Sequence, residues 1–306
     1  MPIPESSGVT GVGLIDPGRV RRLFAEPGKI TESDFLRREI ADRMRERLLL
    51  VKTSPRLVLD AGCGEGRDLS ELQSMYSDAN VIGIDSSYGM LRASTLRSGQ
   101  PNRTRGLLDR WFGRREISGF GLVCCDFSSL PLRADSADMI WSNLALHWHY
   151  RPEQVFSEWI RVLRKEGVLM FSCFGPDTLQ ELRAAFERAD DYSHVLPFTE
   201  MHDLGDRMVA AGFSSPVLDR EVITVTYGNV EKLVADVRAF GGNALANRRR
   251  GLLGKEAWRR ARQALEEGKD SEGRMSLSFE IIYGHAFRTD SGRTADGEAI
   301  VRFLRK

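Results

Sequence analysis

The sequence predicts an α/β fold: a mostly parallel, seven-stranded sheet covered by helices on both faces, with one helix ahead of it and further helices added after the fifth strand. Three observations point there. Residues 56–66, RLVLDAGCGEG, read as a buried strand that runs into a glycine-rich turn. Nineteen residues after Gly66, the apolar run NVIGID closes on Asp85, so a helix and a second strand end in an acid. Strand-like apolar runs then alternate with amphipathic segments as far as residue 174, after which the pattern changes.

Taken in order, residues 1–31 open the chain as a small, polar, glycine-containing segment expected to be flexible. Residues 32–50 place Phe35, Leu36, Ile40, Met44 and Leu48 at helical spacing, with Ser33 as N-cap. The first strand is 56–60. A helix carrying Leu69 and Leu72 follows, then a strand at 80–85 and a helix with Met90, Leu91 and Leu96. Residues 98–120, rich in glycine and arginine, read as an insertion suited to a lid, a docking surface or a tolerated loop. Strands are expected at 121–127 and 137–143. An amphipathic helix at 152–164 is ended by Gly167, and a strand follows at 167–174. Helices are then expected at 176–189, 199–211, 229–240 and 255–267, and strands at 221–227 and 277–287. The domain thus runs over 32–290, with helical substrate-side additions over 176–275 and a tail at 291–306.

Hydrophobic residues make up 42% and charged residues 28% of the 306, which supports a packed core and excludes a disordered chain. A net charge of +1 argues neither for nor against nucleic acid, although arginines cluster at 19–22, 248–250 and 259–262. No apolar stretch approaches the roughly twenty residues that span a bilayer, and no leader-like start is visible, so a cytoplasmic protein with no membrane contact is expected. Cys63, Cys124, Cys125 and Cys173 form no C-x-x-C pair and have no histidine at metal-type spacing, so no metal site is expected; Cys124, Cys125 and Cys173 read as small buried thiols.

Ligands of open α/β sheets sit at the carboxyl ends of the strands. Those ends supply Asp60 with the loop glycines Gly62 and Gly64, then Asp85 and Ser86, Asp126 and Phe127, and Asn143 with His147 and Trp148. Glycines in the loop let a ligand meet the backbone directly, and an acid after the second strand accepts hydrogen bonds from ribose hydroxyls. Asp60 and Glu65 repel phosphate and suit a cationic ligand. His147 is open to two readings, a general base for an alcohol or amine and a wall of the crevice that shapes the substrate, the second favoured because no acid partner is assigned.

The D-x-G-C-G-x-G loop, Asp85 and the run CCDFSSLPL at 124–132 resemble the seven-stranded methyltransferases that use S-adenosylmethionine. That resemblance implies backbone approach of the cofactor at Gly62 and Gly64. It further implies Asp85 on the ribose, Asp126 and a neighbouring amide at Phe127 on the adenine, and Asn143 at the methionine end. Longer phrases, among them GPDTLQELR, MHDLGD and YGHAFR, resemble the malonyl-acyl-carrier-protein O-methyltransferases of biotin synthesis. The implied reaction moves a methyl group to the free carboxylate of a malonyl thioester on an acidic acyl carrier protein, the ester then being extended toward pimeloyl. A carboxylate is ionised at neutral pH and needs no base. An arginine fork is the natural selector of that group, and Arg183 and Arg238 are the candidates, with Tyr283 and His285 as alternatives. Arg248–Arg250 would steer the carrier.

Three other readings compete. One is the assembly factors of respiratory complex I, associated with arginine hydroxylation, although no two-histidine, one-carboxylate triad is visible. Another is a non-catalytic protein that binds S-adenosylmethionine. The last is a nucleic-acid methyltransferase, which is disfavoured because strand four ends SNLALHW without an Asn/Asp-Pro-Pro-aromatic motif.

Overall fold

Alternation of strand and helix builds the sheet in the order β3-β2-β1-β4-β5-β7-β6. The computed structural model describes residues 15–26, 28, 34–97 and 121–289. The insertion at 98–120, Ser33, residues 1–14 and the tail at 291–306 lie outside the described residues. The strands are β1 Leu57–Ala61, β2 Asn80–Asp85, β3 Gly121–Cys124, β4 Ala137–Ser142, β5 Leu163–Phe174, β6 Ser214–Tyr227 and β7 Met275–Phe287. The helices are α1 Pro17–Leu23, α2 Asp34–Leu48, α3 Arg67–Met75, α4 Tyr88–Arg97, α5 Pro152–Val162, α6 Gln180–Glu187, α7 Met201–Ala211, α8 Val230–Ala239 and α9 Lys255–Glu267. β1 to β5 pair in parallel, and β7 enters antiparallel between β5 and β6.

Period-two alternation divides the core. Val58, Met139, Trp141, Val168 and Met170 face a layer that includes α2, α3, α6 and α8. Their neighbours Leu59, Ile140, Leu169 and Phe171 face Phe156 and Trp159 of α5 and Leu204 and Met208 of α7. Both faces being covered explains why these strands read as continuous apolar runs.

Some boundaries differ from the sequence expectation. α5 ends at Val162, and β5 begins at Leu163, not at 167: the extended backbone of Leu163 ends the helix, so Gly167 does not, and Glu166, at φ 63, lies within the strand where its pairing with β4 shifts register. β6 begins at Ser214, seven residues before the expected 221. It is an edge strand with a register shift between Ser214 and Val217, where Pro216 sits, so its first half is polar and bulged. β3 stops at Cys124 because Asp126 turns the chain, its Oδ1 accepting from the Ser128 amide at 2.9 Å. Cys124 is exposed and Cys125 half-buried; of the three thiols expected to be buried, only Cys173 is.

The clearest correction concerns the N-terminal segment. Within it, Pro17–Leu23 forms a helix, capped by Asp16, whose Oδ1 accepts from the Arg19 amide at 3.0 Å, with Pro17 in the first turn. Asp16 N donates to Ala244 O at 2.9 Å, and Ser87 Oγ donates to Phe24 O at 2.9 Å. Phe24 meets Trp148 edge-on at 5.2 Å. Residues 16–24 are thereby strapped across the carboxyl end of the sheet.

Candidate functional site

The loop after β1, the ends of β2 and β4, and α1 and α2 above them enclose one crevice. Its floor is the glycine loop. Gly62 adopts φ +84, and a Cβ there would lie 2.2 Å from the Ala145 Cβ, so only glycine lets this loop pass the segment after β4. Gly64, at φ +53, faces open space, and its amide donates to Asp85 Oδ2 at 2.9 Å. The second Asp85 oxygen accepts from the Ser87 amide at 2.7 Å. Asp85 is thus held rigidly, with lone pairs left for hydroxyl donors.

Acids dominate the inner wall. Asp60 is buried, and its Oδ2 has no hydrogen-bond partner among the described residues. Asp68, in the first turn of α3, accepts from Trp141 Nε1 at 2.9 Å and from Asn143 Nδ2 at 3.2 Å. Desolvation raises the pKa of Asp60, Asp68 and Asp85 above the ordinary carboxylate range; the Asp68 and Asp85 charges add to it at Asp60, while hydrogen bonds to Asp68 and Asp85 partly oppose it. Unpaired enclosed carboxylates call for a cation, and Asp85 for a diol. The donor set therefore fits a ligand with an ammonium or sulfonium group and a ribose, and does not fit a pyrophosphate.

Of the residues expected from sequence, Asp60, Gly62, Gly64, Asp85, Ser86, Phe127, Asn143 and His147 all line this crevice. Asn143 is a scaffold within it: its Nδ2 also donates to Arg37 O at 3.1 Å, and its Oδ1 accepts from Ser172 Oγ at 2.9 Å. Asp126 is exposed at the same strand end and is not part of the wall. His147 is enclosed by Trp148, Phe174 and Phe198, and burial pushes its pKa down to about 3. At neutral pH it is an uncharged wall and a very weak base.

Neither expected arginine reaches the crevice. Arg183 donates to Pro176 O at 3.2 Å and lines a shallow recess elsewhere. Arg238 is exposed on a neighbouring chamber. Tyr283 donates to Glu221, which also pairs with Arg43, and it lies under Arg47 at 3.9 Å, on the side of the sheet covered by α2. His285 stands on β7 beside the β6 edge. The phrase around Arg183 proves to be a clasp: Thr178 Oγ1 donates to Glu280 O at 3.0 Å, the Asp177 amide to Glu280 Oε2 at 2.8 Å, and Ser278 Oγ to Glu181 Oε1 at 2.6 Å.

Arg21, Arg37, Arg38 and Arg67 do line the crevice; Arg21 is exposed on α1, and Arg37 lies in the first turns of α2. Arg38 and Arg67 beside it are paired with Asp34 at 3.1 and 2.6 Å. Arg37 has one long contact, Nη2 to Ala239 O at 3.4 Å, and its Nη1 is shielded from solvent without a partner among the described residues. Its guanidinium lies 5.9 Å from the Phe240 ring, and desolvation lowers its pKa to about 10. It remains charged at neutral pH. In the sequence Arg37 is one of many arginines on an amphipathic helix, and Asp68 reads as an ordinary first-turn acid; neither had a signal of its own.

A methyltransferase-domain family model matches residues 59–171, the span from β1 to β5. The malonyl-[acyl-carrier protein] O-methyltransferase of Laribacter hongkongensis is 42% identical over 94% of this chain and 96% of its own length. The protein of the same name from Gallionella capsiferriformans is 40% identical over 94% and 97%. Among solved structures, the YcgJ protein of Bacillus subtilis superposes with a TM-score of 0.54 at 15% identity, covering 81% of this chain and 98% of that one, a likeness of fold alone.

Proposed function

The chain belongs to the malonyl-[acyl-carrier protein] O-methyltransferase family, and we propose that it esterifies the free carboxylate of a malonyl group carried as a thioester on acyl carrier protein, using S-adenosylmethionine. The observation that carries this reading is the pairing of an acid-lined cofactor crevice with the guanidinium of Arg37, whose Nη1 is shielded from solvent and has no hydrogen-bond partner among the described residues. No feature of the crevice favours the arginine-modifying alternative.

S-adenosylmethionine, when bound, would supply an electrophilic methyl group for a carboxylate oxygen, the carbon–sulfur electron pair staying with sulfur. Asp85 would hold the ribose, Asp60 with Asp68 would face the ammonium, and the Gly62–Gly64 backbone and Phe127 would border the nucleoside. Arg37 would select a carboxylate over an acetyl group, gripping one oxygen and leaving the other to attack. Its guanidinium reaches Ala239 O and the Phe240 ring, and the charges of Asp34 and Glu65 favour its protonated form. The remaining task is positioning and exclusion of water, served by Phe24, Trp148, Phe174 and neutral His147.

The test is transfer of labelled methyl from S-adenosylmethionine to malonyl-carrier protein, with acetyl-carrier protein as control. Label on the malonyl carrier alone, released by mild alkaline hydrolysis, supports the reading; label on both or on neither overturns it.

Because the acceptor is already ionised and His147 is neutral, kcat/KM for the acceptor, with S-adenosylmethionine held saturating, should be flat from about pH 6 to 8.5. His147→Phe should lower it less than about tenfold with no change in that profile. A limb near the ordinary histidine value of about 6.5 that disappears in the variant would restore His147 as a base. Stability carries a separate sign. Unfolded, His147 binds its proton near 6.5; folded, only near 3. Between those values the unfolded state binds more protons, so lowering pH destabilises the fold by up to about 1.4 kcal/mol per unit. The raised carboxylates act with the opposite sign, so the comparison of wild type with His147→Phe isolates the histidine: the variant should be the more acid-resistant.

A further inference from the structure

A second cavity, of about 1090 Å³, lies beside the crevice and shares Trp148, Phe174 and Phe240 with it. That volume slightly exceeds the roughly 300–1,000 Å³ typical of small-molecule sites and far exceeds what a malonyl group fills. Its walls come from α1 and from the helices added after β5: Leu23, Leu182, Phe186, Val234, Val237 and Trp258. Its charged members are Arg19, Arg22, Arg238 and Lys255 against Glu26 and Glu231, and Glu231 is already paired with Arg262 at 2.9 Å. Arg22, Arg238 and Lys255 are exposed, as are Glu26 and Glu231, so cations outnumber acids at the mouth of the chamber.

Two further observations give the chamber a direction. α1 divides the spaces: Val20, Arg21 and Phe24 face the crevice, whereas Arg19, Arg22 and Leu23 face the chamber. With Ser87 bonded to Phe24 O and Phe24 stacked edge-on against Trp148, the direct way into the crevice past α1 is obstructed. The clasp of Thr178, Asp177 and Glu181 onto Glu280 and Ser278 holds the start of α6, and with it Leu182, in the chamber wall.

Resting on the reading above, we infer that the chamber takes the linear phosphopantetheine arm that carries the malonyl thioester. The apolar walls accept the methylene and amide chain, the basic mouth meets the phosphate at its outer end, and the shared wall at Phe174 and Phe240 delivers the malonyl carboxylate to Arg37. Arg238 then serves the arm's phosphate end and not the reacting carboxylate.

The experiment fills the chamber from α8, where Ala235 is half-buried on its wall. Ala235→Trp, and Val234→Phe as an independent second variant, are compared on malonyl-coenzyme A, which bears the arm, and on a short malonyl ethyl thioester, which lacks it. The expected result is a KM for malonyl-coenzyme A raised at least tenfold more than that for the short thioester, with S-adenosylmethionine affinity retained as proof of folding. In parallel, 4′-phosphopantetheine should bind the wild type and lose that binding in both variants. Equal effects on the two acceptors, or unaltered 4′-phosphopantetheine binding, overturn the inference while leaving the methyl-transfer reading intact. Failure of the wild type to methylate malonyl-coenzyme A and malonyl-carrier protein alike removes the reading itself, and the arm with it.

Discussion

Arg37→Met is expected to lower kcat/KM for the malonyl acceptor by at least about 100-fold while S-adenosylmethionine affinity changes less than about fivefold. A carboxylate left without its partner in an enclosed site loses about 3–5 kcal/mol, and 100-fold corresponds to about 2.7 kcal/mol. The same substitution should leave the unliganded protein as stable as the wild type or more so. Arg37 now holds a desolvated charge with an unpartnered Nη1 and one 3.4 Å contact, and methionine of similar reach removes that charge while keeping the packing against Phe240. Arg37→Lys should fall between, since an ammonium keeps the charge and loses the fork. Steady-state kinetics with varied acceptor, a direct cofactor titration and a melting curve decide it. A cofactor affinity that collapses while the acceptor KM stays put would assign Arg37 to the methionine carboxylate instead.

The reason Arg37 escaped sequence reasoning is physical. What was legible depended on periodicity and on backbone constraint: strands buried on both faces announce themselves as apolar runs, and Gly62 and Gly64 announce a loop that no side chain fits. Asp60, Asp85 and Asn143 followed because strand ends in such a sheet converge by topology. Arg37 is placed by the tertiary approach of α2 to α8, 202 residues apart in the chain, and nothing local encodes which of its turns meets Ala239. Arg183 misled for the converse reason. Its phrase is distinctive, but the distinctive residues serve the Thr178–Glu280 clasp, and the arginine closes on its own loop at Pro176. α1 was missed although Asp16, Pro17, Val20 and Leu23 carry cap, first-turn proline and apolar spacing; a seven-residue helix is stabilised mainly by what it packs against.

Asp85→Ala is expected to weaken S-adenosylmethionine binding at least about 100-fold. The carboxylate accepts from the Gly64 and Ser87 amides, so its loss removes the ribose acceptor and frees the loop at once. Hydrogen bonds to a charged group contribute about 1.5–3 kcal/mol each, and two ribose hydroxyls account for the expected loss before any loop disorder is added. Asp85→Asn keeps one acceptor oxygen and should fall about 10- to 50-fold. The pH dependence separates Asp85 from Asp60. Desolvation raises both carboxylates in the free protein, and a bound cation favours their ionised forms, so binding must release protons where the free-state groups are partly protonated. Affinity therefore falls as pH drops into that raised range, above the ordinary carboxylate value of about 3.9. Asp60→Asn should remove most of the proton release, because Asp60 meets the cation, whereas Asp85→Asn should remove less, because Asp85 meets neutral hydroxyls. Calorimetry in two buffers of different ionisation enthalpy measures the released protons directly. An affinity that is constant down to pH 4, with no buffer dependence in either variant or wild type, would mean that the acids do not hold the cofactor's charge.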